Sequence, residues 1–315
     1  MILLVPGRAA DADAWRSRLG KQDLKWADET LTGLPFEARA EFIENDGGFG
    51  EAFGYGTVDR EGVAAIAACP GALLLTLEAR LDEHHEALAQ LGKDLKKCGA
   101  LAVRFEDSKL GWAIDDFIAR VGEGHPATLY RLAVVTLRSP KELASCGIHL
   151  FARPDVRVVV AGKGSGAAAE AQRVLEAFNL YLLAEDPELA PGHSFAPDAD
   201  TERRRLARWP DDQYPSSHPC HNPFGAWHLG PPGESSRKVP AQAMVFMPPL
   251  VTLLTAAEEK KGKALTKKEV EALRDKSAVL AMSWRDAARH ERSRGYADLD
   301  PELAWEQWQR FKASR

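Results

Sequence analysis

Proline holds φ at roughly −65° and removes an amide donor, and this chain concentrates it in "DPELAPGHSFAPD", "WPDDQYPSSHPCHNPF" and "LGPPGESSRKVP", all between residues 186 and 240. That spacing leaves only Asp200 to Arg208 free to be helical and makes the rest a long irregular connection. The expected organisation follows from it: an α+β domain over 1–197, a proline-rich connection over 198–240, and a helical region over 241–315 that packs back on the first domain.

The first domain is expected to be a mixed, largely antiparallel sheet with helices mainly on one face. Ile2 to Val5 reads as a short strand and Asp11 to Leu19 as a helix capped by Asp11 or Asp13. "NDGGFGEAFGYGT" carries five glycines and predicts a loop or hairpin. "ALLLTL" and "ALAVRF" predict strands on either side of the helix "DEHHEALAQLGKDLKKCG", whose acidic start, basic end and Gly99 fit the helix dipole and a stop. "WAIDDFIARVG" predicts a helix ending at Gly122, and "TLYRLAVVTLR" a long strand. "CGIHLFARP" and "VRVVVAG" predict a hairpin turning at Pro154 and Asp155, followed by a helix over Ala167 to Leu183. After the connection, "AQAMVFMPPL" predicts a strand and four short helices follow, one with Thr266 and Glu269 in a capping box. Trp305, Trp308 and Phe311 form a stripe that is expected to dock the last helix on its own core.

Charge and cysteine usage narrow the function classes. The net charge of −5, with basic and acidic residues interspersed, argues against nucleic acid as a partner. "MILLVPG" lacks the basic and long apolar parts of a secretory signal, and no apolar run approaches the length of a membrane span, so a soluble protein with no membrane partner is expected. Cys69, Cys98, Cys146 and Cys220 lie far apart with no CxxC pair, which suits reduced thiols in a cytoplasm. The abundance of alanine beside Arg, Asp and Gly points to a bacterial source.

Two clusters carry chemistry. In "VRVVVAGKGSG", Gly162, Gly164 and Gly166 stand where a strand passes into a helix, the setting of a phosphate loop. The dinucleotide fingerprint is incomplete, however, and Lys163 is followed by Gly164 instead of the hydroxyl residue of a Walker loop, so a plain turn is the stronger reading and no cofactor is expected there. In "SSHPCHNPFGAWH", His218, Cys220, His221 and His228 are imidazole and thiolate donors suited to zinc, and His193 or the pair Cys146 and His149 are further sources. They show neither CxxC nor HExxH spacing. A zinc-dependent hydrolase built on them would use Asp211 or Asp212 as base. Cys146 and His149 are not expected to act as nucleophile and base, since a strand sends i and i+3 to opposite faces. His84, His85, Asp115 and Asp116 read as surface groups.

The segments "ALLLTL", "ALAVRF", "YRLAVVTL", "SCGIHLFARPDVRV" and "AFNLYLLAEDPELAPGHSF" together resemble the uncharacterised bacterial DUF4261-like family over about residues 70–197. The resemblance implies an α+β domain, places Gly162 to Gly166 in a loop between elements, and transfers no catalytic residue. With no complete catalytic constellation, the expected function is a protein-binding or regulatory module, with the neutralising partner of a toxin or secreted effector as one form of it. The zinc hydrolase is the alternative.

Overall fold

The computed structural model describes residues 1–162 and 164–314. The fold is α+β, and the chain packs as two compact units that divide between Val135 and Thr136.

In the first unit, β1 (Ile2–Gly7) leads to α1 (Ala12–Gly20), whose first turn is capped by the Asp11 carboxylate accepting from the Ala14 amide at 2.8 Å. Then come β2 (Lys25–Ala27), β3 (Thr30–Thr32), β4 (Ala38–Glu44), α2 (Phe49–Ala52), α3 (Arg60–Ala67), β5 (Gly71–Leu77) and α4 (Leu81–Lys97). The unit closes with β6 (Ala102–Phe105), β7 (Leu110–Ala113), α5 (Ile114–Glu123) and α6 (Pro126–Ala133). Among the described residues its strands form one seven-stranded antiparallel sheet in the order β2-β3-β4-β5-β1-β6-β7. Leu3, Val5, Leu73 and Leu75 are buried from one side, while Leu4 and Ala72 pack with Phe49, Phe53 and Ile66 of α2, α3 and the segment between them. Burial on both faces explains why these strands read as continuous apolar runs.

Two expectations for this unit are corrected. The glycine-rich stretch contains α2, and its Gly56 bridges Gly111 so closely that a Cβ there would meet the Gly111 carbonyl. "TLYRLAVVTLR" is not one strand: Pro126 at the first helical position, with His125 Nδ1 accepting from the Ala127 amide at 3.3 Å, starts α6, and the chain becomes extended only at Val134.

The division falls after the first residue of β8 (Val135–Arg138); the second unit's further strands are β9 (Glu142–Cys146), β10 (Asp155–Val159), then β11 (Ser194–Phe195), β12 (Arg204–Trp209), β13 (Ala226–Leu229), β14 (Ala243–Phe246) and β15 (Val279–Met282). Its helices are α7 (Ser165–Ala184), α8 (Leu250–Lys261), α9 (Lys267–Lys276), α10 (Trp284–Arg294) and α11 (Ala304–Ala313). Among the described residues a six-stranded sheet runs β11-β12-β13-β10-β9-β8, mixed because β10 and β13 are parallel, and β14 pairs with β15 alone. The strands are thus shared between two main sheets, where the sequence suggested one.

Here too the sequence misplaces some elements. Asp200 to Arg208 is not helical: β12 pairs antiparallel with β13, buries Leu206, and sends the Arg204 guanidinium to the Val159 and Gly230 carbonyls at 2.8 and 2.9 Å. Pairing with distant strands decides the local state. The expected hairpin of "CGIHLFARP" with "VRVVVAG" turning at Pro154 and Asp155 is not formed: β10 pairs instead with residues 142–144 of β9, and beyond Cys146 the chain leaves the sheet, because Gly147 takes φ +115° and opens a 3₁₀ turn over Ile148–Phe151. The helix over Ala167 to Leu183 is α7, and its Ala171, Val174, Leu175, Phe178 and Leu182 are buried against Val156, Val158 and Leu229. The C-terminal helices enclose their own core, in which Trp308 is fully buried with Trp305 and Phe311 packed around it. Thr266 and Glu269 form the expected capping box.

Candidate functional site

The loop from Pro210 to Gly225 holds a connected set of polar side chains, Asp211, His218, His221 and Asn222. Its proline spacing denies it ladder hydrogen bonds, so its backbone is held by side chains. Asp211 Oδ1 accepts from the Gln213 amide at 3.0 Å and Oδ2 from the Asn222 amide at 2.9 Å. Asn222 then reaches across to β10, donating from Nδ2 to Asp155 Oδ2 at 2.8 Å and to the Arg153 carbonyl at 3.0 Å. Asp155 Oδ1 accepts from Ser145 Oγ at 3.1 Å and from the Ile148 amide at 3.3 Å. Burial pushes the Asp155 carboxyl up to about 6 despite these donors.

A cationic chain runs beside this network. Arg157 Nη2 lies 3.0 Å from Asp212 and 3.4 Å from Asp211, and Arg310 reaches Asp212 at 3.1 Å while covering the Trp209 ring. The adjacent carboxylates of Asp211 and Asp212 are therefore joined through one guanidinium. Asp115 and Asp116, in contrast, are exposed and engaged with Lys96 and Thr57.

The four donors expected to bind zinc are placed differently from one another. The His218 ring stacks on Tyr214 with centroids 4.7 Å apart, and its Nδ1 accepts from the Cys220 amide at 3.1 Å. Cys220 is buried, and Cys146 Sγ lies 3.9 Å from its carbonyl; the hydrogen bond with the Cys220 side chain, and then burial, push the Cys146 thiol up. His221 Nδ1 stands 3.0 Å from the Tyr214 carbonyl and 3.5 Å from Asp211 Oδ2. His228 sits on β13 opposite Arg157 of β10, where burial first and the Arg157 charge second push it down to about 3. It is thus neutral, and its Nε2 is buried without a hydrogen-bond partner. Among the described residues, no group of three or more His, Cys, Asp or Glu side chains is arranged to hold a metal ion. His193 Nδ1 accepts from the Ala190 amide at 3.3 Å.

His221, Asp211 and Asn222 line a cavity of about 500 Å³ whose other wall is built by α8, α11 and the Tyr296–Leu299 segment. The Tyr214 carbonyl can only accept, so its 3.0 Å contact puts a proton on His221 Nδ1. A second cavity, of about 180 Å³, is lined by Leu182 of α7, Phe246 of β14 and several residues of α10. Gly162 and Gly164 take φ +104° and +90°, values that favour glycine, and the described residues of that loop line neither cavity. Lys163 lies outside the described residues.

The sequence singles out His221 and Asp211 but not their pairing, reads Asp155 only as a turn residue, and gives Ser145 and Asn222 no role. A local signal existed for one of them, since an Asn before Pro223 favours an Asx turn, here the Phe224 amide donating to Asn222 Oδ1 at 2.9 Å. Against protein-family models, curated proteins and solved structures, nothing matches the chain.

Proposed function

We propose that this protein is a binding or regulatory module that acts through an interface with another protein, in a bacterial cytoplasm. The carrying observation is the pair β14 and β15. Met244 and Leu280 are 49% and 51% exposed there, and Val279 and Met247 are 39% exposed. Met244 lies opposite Ala281 and Leu280 opposite Val245, so the exposed apolar side chains occupy both faces. Two strands alone make a marginal sheet with open edges, and an extended segment of a partner completes such a sheet by strand addition. The four unbridged cysteines agree with a reducing compartment.

The test is affinity capture from the native host with the wild-type chain and a Met244→Glu/Leu280→Glu variant. The expected result is a stoichiometric partner held by the wild type and released by a variant of unchanged circular dichroism. Recovery of no stoichiometric partner, or equal retention by both proteins, overturns the reading.

A second reading, a hydrolase, is favoured by His221, which lines the 500 Å³ cavity and is oriented by Tyr214 and Asp211. A zinc-dependent form would take His218, Cys220, His221 and His228 as ligands. Zinc analysis of protein grown with added zinc, compared with a His221→Ala/His228→Ala variant, decides for or against the metal. Hydrolysis of generic ester and phosphoester substrates, lost in His221→Ala alone, decides for the histidine.

A further inference from the structure

Helix α10 carries two polar side chains with unmet bonding capacity. His290 and Arg294 are four residues apart and share one face of the helix, and both line the 180 Å³ cavity. His290 Nδ1 and both Nη atoms of Arg294 are buried without a hydrogen-bond partner. Arg294 does use its Nε, which donates to the Tyr296 carbonyl at 3.1 Å, and its guanidinium lies over the Tyr296 ring at 4.6 Å. Neither contact engages the two Nη groups. A guanidinium keeps its charge at every pH a protein survives, so a buried pair of its nitrogens with no protein partner is costly unless something else bonds them.

The carboxylates around the cavity are already committed. Asp186 is shared by Arg153 at 3.2 Å and Arg292 at 3.1 and 3.2 Å, and Glu291 pairs with Arg208 at 3.1 Å. Asp298 accepts from the amides of Leu250, Val251 and Leu299 at 2.8 to 2.9 Å, fixing the start of α8. Asp300, which also lines the cavity, accepts from the Glu302 amide at 2.9 Å. The Arg294 charge acts on Asp298 through space, but no carboxylate is bonded to its two Nη groups. Leu182, Leu189, Phe246 and Trp284 supply apolar wall. An apolar cavity of about 150 Å³ is enough to take up benzene.

We propose that this cavity binds a small organic monocarboxylate, whose two oxygens accept from Nη1 and Nη2 of Arg294 and whose apolar body lies against Leu182, Leu189, Phe246 and Trp284. The fork of a guanidinium matches a carboxylate bidentately, and the apolar wall selects against inorganic anions. The cavity shares β14 with the interface reading, Met244 being among its lining residues, but the proposal is argued from Arg294 and its test needs no partner protein.

Isothermal titration of the full chain with benzoate, benzamide and inorganic phosphate tests the proposal. Saturable one-to-one binding of benzoate is expected, with benzamide and phosphate each at least about tenfold weaker. Arg294→Met, shown folded by its melting temperature, is expected to weaken benzoate by at least the same factor. Absence of benzoate binding at millimolar concentration overturns the proposal, as does benzamide or phosphate binding as tightly as benzoate. A folded Arg294→Met variant of unchanged affinity overturns it too. If that variant does not fold, the wild-type comparison of benzoate with benzamide still decides.

Discussion

Asp155 and Asn222, separated by 67 positions in the chain, meet through a 2.8 Å hydrogen bond in the interior of the second unit. The contact ties the proline-rich loop to the start of β10. Asn222→Ala removes it and also leaves the Arg153 carbonyl and the Phe224 amide without that partner. The variant is expected to lose about 2 to 4 kcal/mol of stability, read from the urea midpoint, because buried polar groups left unmatched cost more than a made bond gains. A loss below about 0.5 kcal/mol would show the loop to be held elsewhere.

Two buried groups are expected to oppose each other in acid. Asp155, raised from 3.8 to about 6 by burial, keeps a proton in the folded state that the unfolded chain releases, so its stabilisation is present below pH 3.8 and lost as pH rises through about 6. His228, lowered from 6.5 to about 3 by burial and by Arg157, refuses a proton that the unfolded chain accepts, so stability is lost as pH falls from 6.5 toward 3. Each contributes up to about 1.4 kcal/mol per pH unit, with opposite signs between pH 6 and 4, which leaves these two nearly balanced in the wild type. On going from pH 6.5 to 4.5, His228→Gln is expected to gain about 2 kcal/mol relative to the wild type, and Asp155→Asn to lose stability. Urea titrations across that window check it, and parallel pH dependence in all three proteins would refute it.

Gly225 takes φ +70°, and a Cβ there would lie 2.3 Å from the Trp209 carbonyl oxygen. Gly225→Ala is accordingly expected to cost at least about 2 kcal/mol, combining left-handed strain with a backbone clash. Thermal unfolding measures it. An unchanged melting temperature would mean that the loop accommodates a methyl group at this point.

Trp308 fills the middle of the C-terminal helical core with no exposed surface. Truncation to alanine is expected to remove about 3 to 5 kcal/mol, while Trp305→Ala, at a partly buried position, costs less. Chemical denaturation of the two variants orders them.

What the sequence disclosed followed from local physics. Asp11, Thr266 and Glu269 announce helix starts because a capping side chain bonds an amide two or three residues away, a relationship wholly contained in the sequence. The apolar runs of β1, β5 and β10 were legible because burial on both faces leaves little room for polar residues. The state of residues 204–209 was hidden, since Arg204 and Leu206 gain their partners from β10 and β13, far along the chain. Residues 126–133 were misread because the β-branched content of the following strand outweighed the helix-starting Pro126. The site divides in the same way. His218, Cys220, His221 and His228 drew attention by residue type, but whether a ring nitrogen meets Tyr214, Arg157 or a metal depends on how strands distant in sequence come together. His290 and Arg294 were predicted only as parts of a helix, because an unmet buried donor is visible only once the atoms around it are in place.

The parallel pairing of β10 with β13 also sets an order of events during synthesis. Asp155 finds its neighbour only when Ala226 has been made, after α7, β11, β12 and the proline-rich loop have all been translated. At about 5–20 residues per second, the nascent chain carries β10 with one open, strongly apolar edge for several seconds.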